Sequence, residues 1–226
     1  MNITWNGFSS FEIETKTGVS EVRIVTDPYQ NTTGLRFPRT VSAEILLQTH
    51  DEDDANNQEA VLGSPYVIDL PGEFEVKNVF VFGIQASCKR EVTSLRQGSG
   101  WQAGKRVSNL IFRIEAEGMC LAHLGALDRA LTDEELQELG NVDVLMIPVG
   151  GGRVMNAGVA AEVISQIEPR VVIPMTHAVA GATEALATVD AFCKSFGACR
   201  REEMNKYKFT QKDLPEEEMV IVNLTR

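Results

Sequence analysis

The spacing of apolar residues changes about halfway along the chain, and this change restricts the fold more than any single motif. Before residue 124, apolar and polar residues alternate in short runs such as 11–14 and 22–25, which is the period of half-buried strands. From residue 132 onwards, apolar runs of strand length alternate with segments of helical spacing. Antiparallel strands followed by alternating strands and helices predict an α/β fold with two stacked sheets and helices on the outside.

The second half of the chain carries the helix signals. Thr132 and Glu135 have the spacing of a capping box, which predicts the start of a short helix. The other predicted elements of this half are helices over 157–167 and 183–196 and buried strands over 143–149, 171–174 and 219–224. A glycine-containing loop is predicted over 97–105. No linker rich in Pro, Gly or Ser divides the chain, so we predict one domain spanning residues 1–226.

The charge of the chain restricts its partners. The formal net charge is −11, so the chain gains little from the counterion release that drives nucleic-acid binding. No apolar run approaches the roughly twenty residues of a membrane span, and residues 1–15 lack the basic and apolar segments of a signal peptide. The cysteines form no CxxC pair. We therefore predict reduced thiols, a cytoplasmic location, and neither a membrane nor a nucleic-acid partner.

Residues 48–56, with the sequence QTHDEDDAN, place His50 beside four acidic residues after a predicted strand. His, Asp and Glu are common ligands of Zn²⁺ and Mn²⁺, so the stretch is the main candidate for a metal site. A solvated acidic turn, with His50 held by a hydrogen bond, is the alternative. Without a cation, like charges this close should raise the pKa of at least one carboxyl group. In that case Asp54→Asn should stabilise the fold slightly.

Several short runs, in a fixed order, resemble the metallo-β-lactamase superfamily. The resemblance is strongest to the branch of small metal-dependent hydrolases that includes L-ascorbate-6-phosphate lactonase, and it covers nearly the whole chain. The runs that carry it lie at residues 5–11, 26–29, 71–76, 121–125, 147–152 and 168–175. The resemblance implies an αββα sandwich of two mixed sheets with helices on the outer faces.

The resemblance also allows the acidic stretch to be compared with the family signature THxHxDH. In the family, that signature supplies ligands to two metal ions. Here His50 matches the first His and Asp54 matches the Asp of the signature. Glu52 replaces the second His, and Ala55 replaces the last one. An alanine methyl group cannot bind a metal ion, so the signature is only partly kept.

The remaining ligand positions of the family are also altered. Cys88 is the nearest match to a further His, and Ala126 stands where the family has the Asp that bridges two metals. Thr176 stands at the last His position, and His177 lies one residue later. A bridging carboxylate holds two metal ions together, so its loss argues against a dinuclear centre. Asp128 is a candidate substitute for it, although a turn role fits better, and His123 is expected to be a buried core histidine.

Two functions remain open at this point. The first, which we favour, is a non-catalytic binding or regulatory protein on a hydrolase fold, with no cofactor. The second is a hydrolase of a small ester, lactone or phosphoester with a single Zn²⁺ or Mn²⁺ ion and Asp54 as the catalytic candidate. The candidate ligands of that single ion are His50, Glu52, Asp54, Cys88 and His177. A small molecule or a protein is the expected partner, and self-association of the chain is left open.

Overall fold

A computed structural model describes residues 1–18, 20–91, 106–195, 200–201 and 205–226 of the chain. The first nine strands are β1 (Asn2–Gly7), β2 (Ser10–Thr17), β3 (Ser20–Thr26), β4 (Ile45–Leu47), β5 (Tyr66–Ile68), β6 (Gly72–Val76), β7 (Val79–Glu91), β8 (Arg106–Ala116) and β9 (Met119–His123). The later elements are α1 (Asp133–Leu139), β10 (Val144–Pro148), α2 (Ala157–Ile167), β11 (Val171–Met175), α3 (Val189–Ser195), β12 (Arg200–Arg201), β13 (Lys206–Lys208) and β14 (Val220–Asn223). The predicted loop at 97–105 lies outside the described residues.

The strands form two mixed sheets, as predicted. Six strands have the order β13-β1-β2-β3-β4-β5, and eight have the order β12-β14-β11-β10-β9-β8-β7-β6. In the six-stranded sheet, β3, β4 and β5 pair in parallel while the rest are antiparallel. In the eight-stranded sheet, the half from β9 to β12 is parallel and the half from β6 to β9 is antiparallel.

The main core lies between the two sheets, where both contribute buried side chains. Ile13 and Ile24 of the first sheet belong to one buried cluster with Phe112 and Ile173 of the second. All four are at most 1% exposed. The alternation of burial along β2 and β7 shows why this occurs, because every second side chain points inward. The period read from the sequence therefore sets which face of each strand is covered.

The three described α-helices pack on the outer face of the eight-stranded sheet, in a second buried cluster. Thr132 accepts from the backbone N–H of Glu135, and the Glu135 side chain accepts from the backbone of Thr132, so the predicted capping box begins α1. The outer face of the six-stranded sheet is covered differently. There Tyr29 and Phe37, from the irregular segment between β3 and β4, join a third buried cluster. This segment, rather than an α-helix, lies beside the candidate site.

Two predictions for the C-terminal third are corrected by the structure. The predicted helix over 183–196 is shorter in the structure, where α3 begins only at Val189. The preceding segment is held as a loop because Ala187 donates to the carbonyl of Gly150 and accepts from Ala178. Cys193 is disulfide-bonded, so the prediction of reduced thiols is wrong for that residue, whereas Cys88 and Cys120 are free. Among the described residues, no helix is long and apolar enough to cross a membrane.

Candidate metal centre and its arginine partners

His50 lies just beyond the end of β4, where a buried network fixes its ring. The carboxylate of Asp27 accepts from the backbone N–H and the hydroxyl of Thr49, both at 2.7 Å. The Thr49 hydroxyl already donates its hydrogen bond to Asp27. In its contact with His50 Nδ1 at 2.7 Å, the hydroxyl oxygen therefore accepts and the ring nitrogen donates. His50 Nε2 faces Asp54 Oδ1 at 3.1 Å. Because both ring nitrogens face acceptors, the network favours the imidazolium form.

The electrostatics of His50 agree with this geometry. Burial lowers the pKa of the imidazole, but the charge of Asp54 and its hydrogen bond outweigh burial, so the pKa lies above its ordinary value. Asp27, a few ångströms behind Thr49, acts in the same direction. The geometry and the direction of the pKa shift therefore both favour a protonated His50 between carboxylates, in a turn that the sequence alone shows only as acidic.

Glu52 is bound by Arg90, near the end of β7. The guanidinium donates from Nη1 to Oε1 at 2.8 Å and from Nη2 to Oε2 at 2.5 Å. Such bidentate hydrogen bonding is the strongest interaction that arginine makes with a carboxylate. Burial raises the pKa of Glu52, but the hydrogen bond from Arg90 and the charges of His50 and Arg90 lower it overall. Asp128 fixes the strand end, because its carboxylate accepts from the backbone N–H groups of Lys89 and Arg90.

Asp54 is bound by a second arginine, Arg153, from the loop before α2. Arg153 Nη2 donates to Asp54 Oδ2 at 2.5 Å. Its Nε donates to both carboxylate oxygens of Glu184, at 2.8 and 2.9 Å. Burial raises the pKa of Asp54, yet the positive charges of Arg153 and His50 hold that pKa well below its usual range. The expectation of a raised carboxyl pKa in this turn is therefore wrong for Asp54 and for Glu52.

The three positions without a metal-binding side chain, Ala55, Ala126 and Thr176, are all buried. Ala55 and Ala126 are buried, at 0% and 1% exposure, and Thr176 is 1% exposed. Cys88 donates its thiol proton to the carbonyl of Ala126 at 3.4 Å, and burial raises the pKa of that thiol to about 11. A thiol in this state is a poor nucleophile at neutral pH, because nucleophilic attack needs the thiolate.

His177 lies apart from the acidic turn. Its ring packs on Trp5, with centroids 4.7 Å apart, and its Nδ1 faces the carbonyl of Ala178 at 3.3 Å. Burial lowers its pKa, so the ring is neutral at neutral pH. The side chains of His50, Glu52 and Asp54 each offer a ligand atom, and these atoms lie within 4.8 Å of one another. In the part of the chain that the structure describes, this is the only group of three side chains placed to hold a metal ion. The group includes neither Cys88 nor His177.

His123 and Asp128 have the structural roles that were expected from the sequence. His123 is fully buried, with Nε2 facing the carbonyl of Ser9 at 2.8 Å and Nδ1 accepting from Gly125. Asp128 holds a strand end rather than replacing the bridging carboxylate. Sequence reasoning missed the two arginines and Glu184. The only signal for them was indirect, since a buried cluster of acids without a metal needs cations from elsewhere in the chain.

Comparisons with known proteins agree with the fold and with the ordered runs in the sequence. Residues 2–176 match the family model described as Beta-lactamase superfamily domain. A UPF0173 metal-dependent hydrolase of Methanopyrus kandleri is 24% identical over 197 residues, which cover 78% of this chain and 84% of that protein. A UPF0173 metal-dependent hydrolase of Opitutus terrae is 26% identical over 198 residues, which cover 77% of this chain and 84% of that protein.

Solved structures show the same architecture. One from Thermotoga maritima, described as a Zn-dependent hydrolase of the metallo-beta-lactamase superfamily, is 30% identical and superimposes with a TM-score of 0.76. The match covers 98% of this chain and 97% of that one. A metallo hydrolase from Ignicoccus hospitalis is 17% identical, with a TM-score of 0.63 over 92% of this chain and 99% of that one. At that level of identity the second match concerns the fold alone.

Proposed function

The chain belongs to the β-lactamase superfamily, and we propose that within this family of metal-dependent hydrolases it is a non-catalytic binding or regulatory protein. The observation that carries the proposal is the pairing of both acidic ligand candidates with arginines of the same chain. Arg90 binds both oxygens of Glu52, and Arg153 binds the oxygen of Asp54 that His50 does not face. Guanidinium groups thus supply the positive charge that a metal ion would supply.

The two ion pairs of the cluster oppose metal binding at its carboxylates. A metal ion binding here would have to displace Arg153 from Asp54 and Arg90 from Glu52. Each displaced guanidinium group would lose a charged partner in a largely buried site, which costs free energy, while Arg153 would keep its contacts with Glu184. The side chains of Arg153 and Asp54 are only 19% and 9% exposed, so water would compensate little of this cost. The ion pairs therefore compete with metal binding at the same oxygen atoms.

The donor set also does not fit a dinuclear centre. A dinuclear site needs a bridging group and two sets of ligands, whereas Ala55, Ala126 and Thr176 offer no imidazole or carboxylate. The contacts of His50 with Thr49 and Asp54 favour the protonated ring, which would have to release a proton before it could bind a metal ion. We infer that binding, rather than metal-assisted hydrolysis, is what the fold provides here.

Metal analysis of the purified protein tests this proposal. Protein prepared without added metal or chelator should contain far less than one equivalent of transition metal after gel filtration. EDTA should leave its melting temperature unchanged, because no metal contributes to folding. Two tightly bound equivalents, retained through gel filtration, would refute the proposal.

The grouping of His50, Glu52 and Asp54 favours one alternative, a hydrolase with a single Zn²⁺ or Mn²⁺ ion. These three side chains would hold the ion, which would supply Lewis-acid chemistry for a small ester, lactone or phosphoester. The alternative predicts one equivalent of metal and a fall in melting temperature with EDTA that Zn²⁺ or Mn²⁺ reverses. Either result would replace the non-catalytic proposal.

A further inference from the structure

A pocket separate from the acidic turn lies beside the segment between β3 and β4, and its lining carries positive charge. Its volume is about 580 Å³, within the range of small-molecule sites. Arg36 and Arg39 line it on either side of Phe37, and Asn31 and Asn57 also face it. Its lining contains no carboxylate. Glu59, which precedes the lining residue Ala60, is the acidic residue closest to the lining along the chain. No ion pair links it to Arg36 or Arg39.

Arg36 and Arg39 differ from five other arginines of the described residues, which pair with carboxylates. The guanidinium groups that pair with carboxylates belong to Arg90, Arg113, Arg129, Arg153 and Arg170. Within the described residues, neither Arg36 nor Arg39 has an ion-pair or hydrogen-bond partner for its side chain. Both side chains are exposed and line a pocket without a carboxylate, although the chain as a whole has a net charge of −11. They leave ten N–H donors free for a ligand, five on each group.

The wall behind these arginines is fixed. Phe37 is only 6% exposed, and its ring lies edge-on to Tyr29 with centroids 5.3 Å apart. The Tyr29 hydroxyl donates to the carbonyl of Asn6 at 2.7 Å. Asn57 donates from its side chain to the carbonyl of Tyr29 at 2.9 Å and from its backbone to Pro28 at 2.7 Å. A fixed wall lowers the ordering cost of binding, because only the two arginine side chains need to settle on the ligand.

A third cation lies behind the same segment. The Arg226 guanidinium donates to the carbonyl of Arg36 at 2.9 Å and to that of Asn6 at 2.8 Å. It makes no ion pair with a described carboxylate, so its charge adds to the local positive potential. The result is a small basic area on a chain that is acidic overall.

We propose that this pocket binds a small organic oxyanion with at least two negative charges. Phosphate esters and polycarboxylates share the required chemistry, since each presents oxygen pairs that a guanidinium group binds with two parallel hydrogen bonds. The side-chain amide of Asn31 suits a hydroxyl group on the same molecule. The inference does not depend on the state of the acidic turn at His50, because the two sites share no lining residue.

Titration calorimetry in the presence of EDTA tests the pocket with three probes, namely glycerol 3-phosphate, citrate and inorganic phosphate. EDTA excludes binding through a metal ion. The parent protein should bind glycerol 3-phosphate or citrate, and the preferred one identifies the ligand class. Arg36→Gln/Arg39→Gln should weaken that binding at least about tenfold, because it removes the charge-assisted hydrogen bonds of both guanidinium groups.

Arg23→Gln/Lys208→Gln is the matched control, since it removes two positive charges from exposed positions outside the pocket. It should change the affinity by less than about twofold. All four side chains are exposed, so melting temperatures should stay close to that of the parent and confirm folding. The proposal is overturned if none of the probes binds at millimolar concentration. It is equally overturned if the pocket variant and the control weaken binding to the same extent, which would indicate diffuse charge only.

Discussion

Arg153→Met is the substitution that tests the ion-pair cluster most directly. Methionine keeps an unbranched apolar side chain but removes the guanidinium group that Asp54 and Glu184 share. Asp54, whose side chain is 9% exposed, then keeps only the contact with His50 at 3.1 Å. The variant therefore leaves a buried carboxylate that is only half compensated.

The expected loss follows from this burial. Removing one partner of a buried ion pair costs about 3–5 kcal/mol, and we take the lower end because His50 remains beside Asp54. A loss of about 3 kcal/mol corresponds to a fall in melting temperature of roughly 6–12 °C for a chain of this size. Thermal unfolding followed by circular dichroism at pH 7 measures it.

Lys206→Met serves as the control, because it removes a cation from a more exposed pair with Glu14. The Lys206 and Glu14 side chains are 41% and 23% exposed, and such surface pairs contribute about 0–1 kcal/mol. The control should therefore melt within roughly 4 °C of the parent. If Arg153→Met melts as high as this control, the charge argument for the cluster is incorrect.

The pH dependence gives a second check with a definite sign. The pKa of Asp54 is depressed in the folded protein, so the stability that it contributes is present above its ordinary pKa of about 4 and is lost as the pH falls through the depressed value. The difference in melting temperature between parent and Arg153→Met should accordingly be largest near neutral pH and shrink in acid. A difference that grows on acidification would contradict this assignment.

Three further predictions concern the same region. Arg90→Met/Arg153→Met should bind more Zn²⁺ than the parent in calorimetry, because the carboxylates of the turn lose their internal cations; equal and negligible binding by both proteins would show that metal is excluded for another reason. Asp54→Asn should destabilise the fold by about 1–3 kcal/mol in urea unfolding, because Arg153 loses a charged acceptor, and a stabilised variant would restore the like-charge interpretation. Cys88 should resist iodoacetamide at pH 7 in the native protein and react after unfolding, since burial raises the pKa of its thiol to about 11; rapid native labelling, located by mass spectrometry, would contradict the described burial.

Replacing metal ions by arginines would change what the acidic turn contributes to the protein. A metal ion with an open coordination position activates water, whereas a guanidinium group stays charged and offers only hydrogen-bond donors. The cluster at His50 therefore acts in our proposal as a structural support for the loops around it. The unpaired arginines at 36 and 39 lie in a different pocket, where they remain available to a ligand.

Local chemistry in the sequence was sufficient for much of the fold. The two-residue period of 11–14 and 22–25 predicted strands that became β2 and β3, because alternating side chains must face a core and solvent in turn. The capping box at Thr132 predicted the start of α1, because it depends on contacts three residues apart. The helix predicted over 183–196 was too long, because a backbone contact with distant Gly150 holds residues before α3 as a loop.

The sequence by itself determined that His50, Glu52 and Asp54 share a turn, and that Ala55, Ala126 and Thr176 carry no usual metal ligand. Whether the acids of that turn repel one another or are neutralised was decided only by the tertiary structure. Arg90 is 38 residues from Glu52, and Arg153 is 99 residues from Asp54. Sequence patterns describe neighbours along the chain, whereas the pKa of a buried carboxyl group depends on every charge within a few ångströms in space. For that reason the expected rise in carboxyl pKa was wrong for Glu52 and Asp54, even though both residues of the turn were identified correctly.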